Sequence, residues 1–285
     1  MSNILVTGAK GQLGSEIQFL ASQYNQYHFF FTNTPYLDVT DKEQVRIFCL
    51  KNKIQTIINC AAYTNVEKAE EFIDSCNNIN HLATKNLSAI AKEQDIQLIH
   101  ISTDYIFDGK QHVAYTETDT PNPLNMYGKT KWLGEQALLE INPKNSIIIR
   151  TSWVYSSYGN NFVKSMLKLA KTKNVLNIVS DQIGTPTYAA DLAKTILDIL
   201  PKIDNQNVEI YHYSNDGVCS WYDFAFEIFQ QQKSTCKVYP ITSKEYPTTA
   251  KRPLFALLNK SKIKNTFDIE IPHWKTSLAD CIKKL

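Results

Sequence analysis

Two textures alternate along this chain. Short, predominantly apolar runs (Ile4-Leu5-Val6, Phe29-Phe30-Phe31, Thr56-Ile57-Ile58, Leu98-Ile99-His100-Ile101 and Ile147-Ile148-Ile149) read as buried parallel strands. A strand that is apolar on both sides needs cover on both faces of its sheet. Between them lie stretches of helical period. Thr40-Asp41-Lys42-Glu43 opens one with a capping-box pattern. Ile79, Leu82, Ala83, Leu87 and Ile90 mark the buried stripe of a second. The run from Leu124 to Leu139 is read as a third. This β-α alternation predicts an α/β fold with a doubly wound parallel, Rossmann-type sheet.

After Arg150 the rhythm loosens. A helix is expected over Phe162–Lys171, a strand at Asn177-Ile178-Val179 and a helix over Tyr188–Leu200. Aromatic-rich segments (Tyr211-His212-Tyr213 and Trp221-Tyr222-Asp223-Phe224) and a proline-punctuated stretch from Tyr239 to Pro253 follow. The expected division is a dinucleotide-binding domain over residues 1–152, regaining about 177–200. A smaller C-terminal substrate-binding lid takes about 153–176 and 201–285.

Composition narrows the function classes. A chain of 285 residues, 43% of them hydrophobic, can bury a substantial core. A net charge of +2 with no long block of like charge gives no electrostatic case for nucleic acid or a membrane surface. No apolar run approaches the roughly 20 residues that span a bilayer. The first strand starts too close to Met1 to leave room for a signal peptide. The six cysteines are scattered, with neither CxxC nor metal-like Cys/His spacing. A reduced, cytoplasmic setting is therefore expected.

Gly8-Ala9-Lys10-Gly11-Gln12-Leu13-Gly14 follows the first strand and opens a helix. In that context Gly8, Gly11 and Gly14 permit a tight turn and close backbone approach to a pyrophosphate seated on the helix start. The spacing is GxxGxxG. About 20 residues on, where a carboxylate would grip the ribose 2′-hydroxyl of NAD, the chain has Thr32-Asn33-Thr34, and Asp38 comes late. NADPH is thus admitted alongside NADH, with no arginine beside the strand to select it.

Tyr127 and Lys131 are spaced i, i+4, which puts phenol and ammonium on one helix face. A nearby cation should lower the phenol pKa from about 10 and make Tyr127 a proton donor. Thr103, in His100-Ile101-Ser102-Thr103-Asp104-Tyr105, ends an apolar run where ligands bind in open α/β sheets. Its hydroxyl can hydrogen-bond a substrate carbonyl. Asp104 could instead be a turn carboxylate and Trp153 a core residue. Arg252 could pair with a diphosphate or a surface acid, and Asn160 and Asn161 could bond the nucleotide or cap the helix at Phe162.

With glycine loop, Ser/Thr strand end and YxxxK in this order, the chain resembles the extended short-chain dehydrogenase/reductases. The blocks Asn59-Cys60-Ala61-Ala62-Tyr63-Thr64, Ser102-Thr103-Asp104-Tyr105-Ile106-Phe107-Asp108-Gly109, Arg150-Thr151-Ser152-Trp153-Val154-Tyr155 and Asp181-Gln182-Ile183-Gly184-Thr185-Pro186-Thr187 are similar to the dTDP-4-dehydrorhamnose reductase family. So is Tyr246-Pro247-Thr248 with Arg252-Pro253, and the likeness runs from Ile4 to about Trp274. The resemblance implies reduction of the C4 ketone of dTDP-4-dehydro-β-L-rhamnose to dTDP-L-rhamnose, a cell-surface polysaccharide precursor. It implies Tyr127 as acid/base, Lys131 as the group that also holds the nicotinamide ribose, and Thr103 as the carbonyl-orienting hydroxyl. Gln12 and Leu13 would meet the pyrophosphate, and Ala62, Tyr63 and Thr64 would line the cofactor cleft. Thr103, Asp104 and Trp153 would face the sugar. Sugar-nucleotide 4,6-dehydratases place an Asp-Glu pair after the Thr; here Tyr105 follows Asp104, which disfavours elimination. Certain family members bind Mg²⁺ between subunits through carboxylates. Glu16 is available here, but Ala190 stands where another ligand would be, so no metal residue is assigned and a monomer or weak homodimer is expected. Two alternatives stand beside the reductase: a non-catalytic regulatory subunit resembling the methionine adenosyltransferase β-subunit, and a reductase or epimerase of another nucleotide sugar.

Overall fold

Each of the five apolar runs becomes a strand: Ser2–Thr7, Tyr27–Phe31, Thr56–Asn59, Gln97–Thr103 and Ile147–Thr151. They are described here from a computed structural model covering residues 1–285. All pair in parallel, and Glu209–His212 adds a sixth strand beside Ile147–Arg150. From one edge the order is Glu209–His212, Ile147–Thr151, Gln97–Thr103, Thr56–Asn59, Ser2–Thr7, Tyr27–Phe31. The chain leaves the first strand in one direction and returns on its other side. This reversal opens a crevice at the carboxyl ends, where Thr7, Asn59, Thr103 and Thr151 terminate their strands.

The period-2 alternation of side chains explains why these runs are apolar throughout. Ile4, Val6, Ile58, Ile99, Ile147 and Ile149 point to one face, where they are buried beneath Gln12–Leu20 and Ala189–Ile199. Leu5, Ile57, Leu98 and Ile148 point to the other, against Val45 and Cys49 of Lys42–Lys51, Leu87 and Ile90 of Ala83–Glu93, and Leu138 of Met126–Ile141. A third cluster, around Tyr155, Val163, Phe224, Ile228, Trp274 and Leu278, forms the core of the smaller C-terminal region. Phe162–Ala170, Trp221–Gln231 and Trp274–Lys283 enclose it.

Four expectations need correction. The strand near 177–179 does not return to the large sheet with the helix after it. Val175–Val179 pairs in parallel with Lys237–Ile241 in a separate two-stranded sheet, and only Ala189–Ile199 crosses back. The segment from 201 does not belong wholly to the lid, because Glu209–His212 completes the sheet and Ile263, Phe267 and Ile271 join its core. The helix after Thr40 begins at Lys42 and is capped by Asp41, whose carboxylate accepts from Gln44 N at 3.0 Å. Thr40 instead donates its hydroxyl to Asp38 at 2.8 Å. Finally, Leu82 is 40% exposed. Residues Asn78–Leu82 form a wide π-helical turn, and the extra residue rotates Leu82 off the buried stripe.

Candidate active site

The glycine loop is built as its spacing suggests. Gly8 has φ +62°, and a Cβ there would lie 2.7 Å from Ala61 N. Only a residue without a side chain lets this turn nest against the segment after the Thr56–Asn59 strand. Gly14 has a different task. It does not reach the cavity; its Cβ would stand 2.7 Å from Ala9 Cα, so it seats the helix against the loop. The helix Gln12–Leu20 starts from Gly11 with no side chain capping it, which leaves its first N–H groups and dipole directed at the cavity.

That cavity encloses about 920 Å³ along the carboxyl ends of the strands. Gly8, Gly11, Gln12 and Leu13 line one part, Thr34, Asp38, Val39 and Thr40 a polar end, and Ala61, Ala62 and Thr64 one side. Thr103, Asp104, Tyr127, Lys131, Trp153 and Trp221 line the remainder. Asp38 is folded into its own turn, Oδ1 accepting from Thr40 N at 2.9 Å. The Gly8 cradle, the open helix start and the polar end fit a nicotinamide dinucleotide.

Asn125 sets Tyr127 and Lys131 in place by capping Met126–Ile141, its Oδ1 accepting from Gly128 N at 2.8 Å. The Tyr127 ring meets Tyr105 edge-on at 5.6 Å. Lys131 is buried, and its Nζ donates to Ile101 O at 2.5 Å and lies 3.3 Å from His100 Nε2. The electrostatics depart from expectation. Burial raises the Tyr127 pKa above the ordinary phenol value, opposed by a hydrogen bond with Thr103 and helped by the Asp104 carboxylate. Lys131 does not bring it down. Burial lowers Lys131 itself to about 8, while Glu135 pulls the other way. Shared helix face and shared cavity hold; the predicted phenol shift does not.

Thr103 caps a short turn, accepting from Tyr105 N at 3.2 Å and donating to Asp104 Oδ1 at 3.1 Å. Asp104 is 1% exposed, and burial raises its pKa to about 7 against the Thr103 hydrogen bond. Its Oδ2 has no partner. Trp153 carries φ +47°, unusual for a bulky residue. It stacks on Trp221 with ring centroids 3.7 Å apart.

Two proposed contacts lie outside the cavity wall. Tyr63 is held by its backbone, with N donating to Asn80 Oδ1 at 2.8 Å and O accepting from Asn80 Nδ2 at 3.1 Å. Arg252 pairs with Glu67 at 2.5 Å because Glu67 reaches across to clamp the loop, its other oxygen accepting from Thr249 N at 2.9 Å. Of the two asparagines, Asn161 caps Phe162–Ala170 and Asn160 lines the cavity. Trp221, Asn78 and Ile79 line it without having been singled out. The aromatic cluster at 221–224 was the available sign of the first; Ile79 read only as part of a helix's buried stripe, and no local pattern marks Asn78. Glu16, the carboxylate available to an inter-subunit magnesium, is buried, with Oε1 accepting from Ser156 Oγ at 2.6 Å and Oε2 without a partner.

A parallel doubly wound sheet with a glycine-lined dinucleotide crevice, and Tyr, Lys and Thr together at its end, defines an extended short-chain dehydrogenase/reductase. The family model described as "RmlD substrate binding domain" matches residues 1–285. The chain is 40% identical to the dTDP-4-dehydrorhamnose reductase of Aggregatibacter actinomycetemcomitans, covering 98% of each chain. It superposes on the crystal structure of a dTDP-4-dehydrorhamnose reductase from Clostridium acetobutylicum with a TM-score of 0.93 at 42% identity, covering 99% of this chain and 98% of that one. The Bacillus anthracis dTDP-4-dehydrorhamnose reductase in complex with NADP matches with a TM-score of 0.95 at 34% identity over 100% of both chains. The protein belongs to the dTDP-4-dehydrorhamnose reductase family.

Proposed function

We propose that this protein reduces the C4 ketone of dTDP-4-dehydro-β-L-rhamnose to give dTDP-L-rhamnose with NADPH or NADH. The observation that carries the reading is the convergence of Tyr127, Lys131 and Thr103 on one cavity whose other part is the glycine loop. Gly8, Gly11, Gln12 and Leu13 would hold the pyrophosphate, and Ala62 and Thr64 the wall beside it. Lys131 would take the nicotinamide ribose, and Asp38 lies at the adenosine end. When bound, the reduced nicotinamide supplies hydride.

Thr103 orients the ketone oxygen through its hydroxyl. Tyr127 donates its phenolic proton to that oxygen as negative charge develops there. The raised phenol pKa keeps this proton in place at neutral pH, and the developing alkoxide is a stronger base than phenolate, so the transfer runs downhill. Lys131, with a pKa of about 8, can return a proton to the phenolate. Asp104 and the Trp153–Trp221 stack shape the sugar end. Arg252, tied to Glu67, acts on substrate only if that pair opens.

The cofactor unit comprises the six-stranded sheet with its helices, including Ala189–Ile199 and Ser261–Phe267. The substrate lid is the unit built around Tyr155, Phe224 and Trp274. No helix is long and apolar enough to cross a membrane, and all six cysteines are free, which supports a reducing, cytoplasmic setting. We expect a monomer or weak homodimer. The test is NADPH consumption on adding the 4-keto sugar nucleotide, with the C4 epimer of the product assigned by NMR. Tyr127→Phe should lose roughly a hundred- to ten-thousandfold in kcat while still binding NADPH. Undiminished turnover by that variant removes the phenol from the mechanism. Inertness of wild type towards a panel of 4-keto nucleotide sugars, with co-purification of a synthetase, would favour the regulatory alternative.

A further inference from the structure

Beneath Lys131 runs a buried polar chain to which none of the site residues above has been assigned. Ala61 N donates to Thr7 Oγ1 at 3.3 Å, and Thr7 Oγ1 donates to Asn59 Oδ1 at 2.7 Å. Asn59 Nδ2 lies 3.1 Å from His100 Nδ1, and His100 Nε2 lies 3.3 Å from Lys131 Nζ. Thr7, Asn59 and His100 are all buried, at 0%, 2% and 0% exposure. They come from three adjacent strands of the sheet. His100 is neutral across the working range, because burial and then the Lys131 charge push its pKa far down.

A neutral imidazole carries one proton, so His100 can present a donor to only one of its two neighbours. The fixed end of the chain decides which. The Ala61 amide is backbone and cannot turn round, so it occupies Thr7 Oγ1 as a donor. Thr7 then needs an acceptor for its own proton, and the structure offers Asn59 Oδ1. Turning the Asn59 amide over would leave the Thr7 hydroxyl a buried donor without a partner. With Asn59 oriented as it stands, its N–H group faces His100 Nδ1, which must accept. The proton of His100 is thereby on Nε2 and points at Lys131.

We infer that His100 is a positioning residue that donates from Nε2 to the neutral amine of Lys131, with Ala61, Thr7 and Asn59 fixing its tautomer. A donor facing Nζ favours the amine over the ammonium, so Lys131 gives up its proton to a deprotonated Tyr127 more readily. The proton balance closes: Tyr127 protonates the ketone oxygen, Lys131 reprotonates Tyr127, and solvent recharges Lys131. The other groups facing Lys131 are the Cys60 and Cys76 thiols and, on its own helix, Tyr127 and Glu135. Glu135 opposes the effect but is already bound by Arg150 and Ser102. The lowered Lys131 pKa of about 8 agrees with a site built to release a proton. The inference rests on the reductase reading for its role in turnover, and on the buried chain alone for the tautomer.

The experiment is ¹⁵N NMR of the histidine side chains in the ligand-free protein, where only six histidines contribute. His100 should show protonated Nε2 and unprotonated Nδ1 at about pH 9, above the Lys131 value of about 8, where Nζ is an amine with a lone pair to accept. A protonated Nδ1 in wild type overturns the inference. Thr7→Val keeps the shape and removes the hydroxyl, freeing Asn59 to turn its oxygen to His100. The tautomer should then switch, and the pH midpoint of the hydride-transfer rate should rise by about one unit, a tenfold gain in proton affinity. Thr7→Ser should restore both. A Thr7→Val protein unchanged in tautomer and midpoint also overturns it. If wild type turns over no 4-keto sugar nucleotide, the reductase reading fails, while the spectrum still decides the tautomer.

Discussion

Asp104→Asn isolates the electrostatics of the sugar end. Burial raises the Asp104 pKa from 3.8 to about 7, and its Oδ2 has no hydrogen-bond partner. The native protein therefore holds a proton on Asp104 at pH values where the unfolded chain has released it. With more protons bound to the native state, stability falls as pH rises from about 4 to about 7 and stays reduced above that. A displacement of about three units at 1.36 kcal/mol each amounts to about 4 kcal/mol, an upper limit because a strained site relaxes. Asparagine has the same shape and no charge to bury, and its amide meets the same vacant position as the protonated acid. At pH 5, about 1.2 units above the unfolded value, the variant should lead wild type by only about 1.6 kcal/mol. At pH 9 the variant should be more stable by about 3 kcal/mol. Urea unfolding at both pH values, read as the difference between variant and wild type, cancels the other titrating groups. An equal difference at pH 5 and pH 9 refutes the raised pKa, and lower stability of the variant at pH 9 refutes the sign.

Two further changes probe the frame around the site. Gly8→Ala places a Cβ 2.7 Å from Ala61 N at a backbone angle of φ +62°. It should cost about 1–3 kcal/mol and weaken NADPH binding, both measurable by thermal unfolding with and without cofactor; unchanged affinity would detach the loop from the pyrophosphate. Glu135→Ala strands Arg150, whose Nη2 lies 2.8 Å from the carboxylate with both side chains almost wholly buried. That should cost about 3–5 kcal/mol in chemical denaturation, whereas replacing both residues by Leu and Met should cost much less.

The sheet was legible because its residues obey one simple requirement, cover on both faces, which local composition records directly. All five apolar runs became strands. The sixth, Glu209–His212, escaped because it lies at the sheet edge and reads as part of an aromatic cluster. Neither Glu209 nor Ile210 is fully buried, so the run lacks the uniform apolar signature. Strand 175–179 was found as an element but placed in the wrong sheet. Pairing with Lys237–Ile241 is a contact across some sixty residues, and no local pattern encodes which sheet a short strand joins. The same limit explains Leu82, since periodicity assumes a regular helix and cannot register the π turn at Asn78–Leu82.

The site divides along a similar line. Backbone requirements and helical spacing can be read locally, and they brought Gly8, Gly11, Tyr127, Lys131 and Thr103 to one cavity. Partner choice cannot: Arg252 has a phosphate-binding shape, yet Glu67 sits within 2.5 Å of it in the folded chain. Dielectric cannot either. An ammonium four residues from a phenol lowers the phenol's pKa only where its field outweighs desolvation, and here Lys131 is itself buried and bonded towards Ile101 and His100. Burial then shifts both groups in opposite directions, phenol up and ammonium down. That narrows the gap from the lysine side, since an ammonium near 8 can reprotonate a phenolate without the phenol ever becoming a strong acid. The pair serves reduction because the final acceptor is an alkoxide; what it must secure is a proton held until hydride arrives and replaced promptly afterwards.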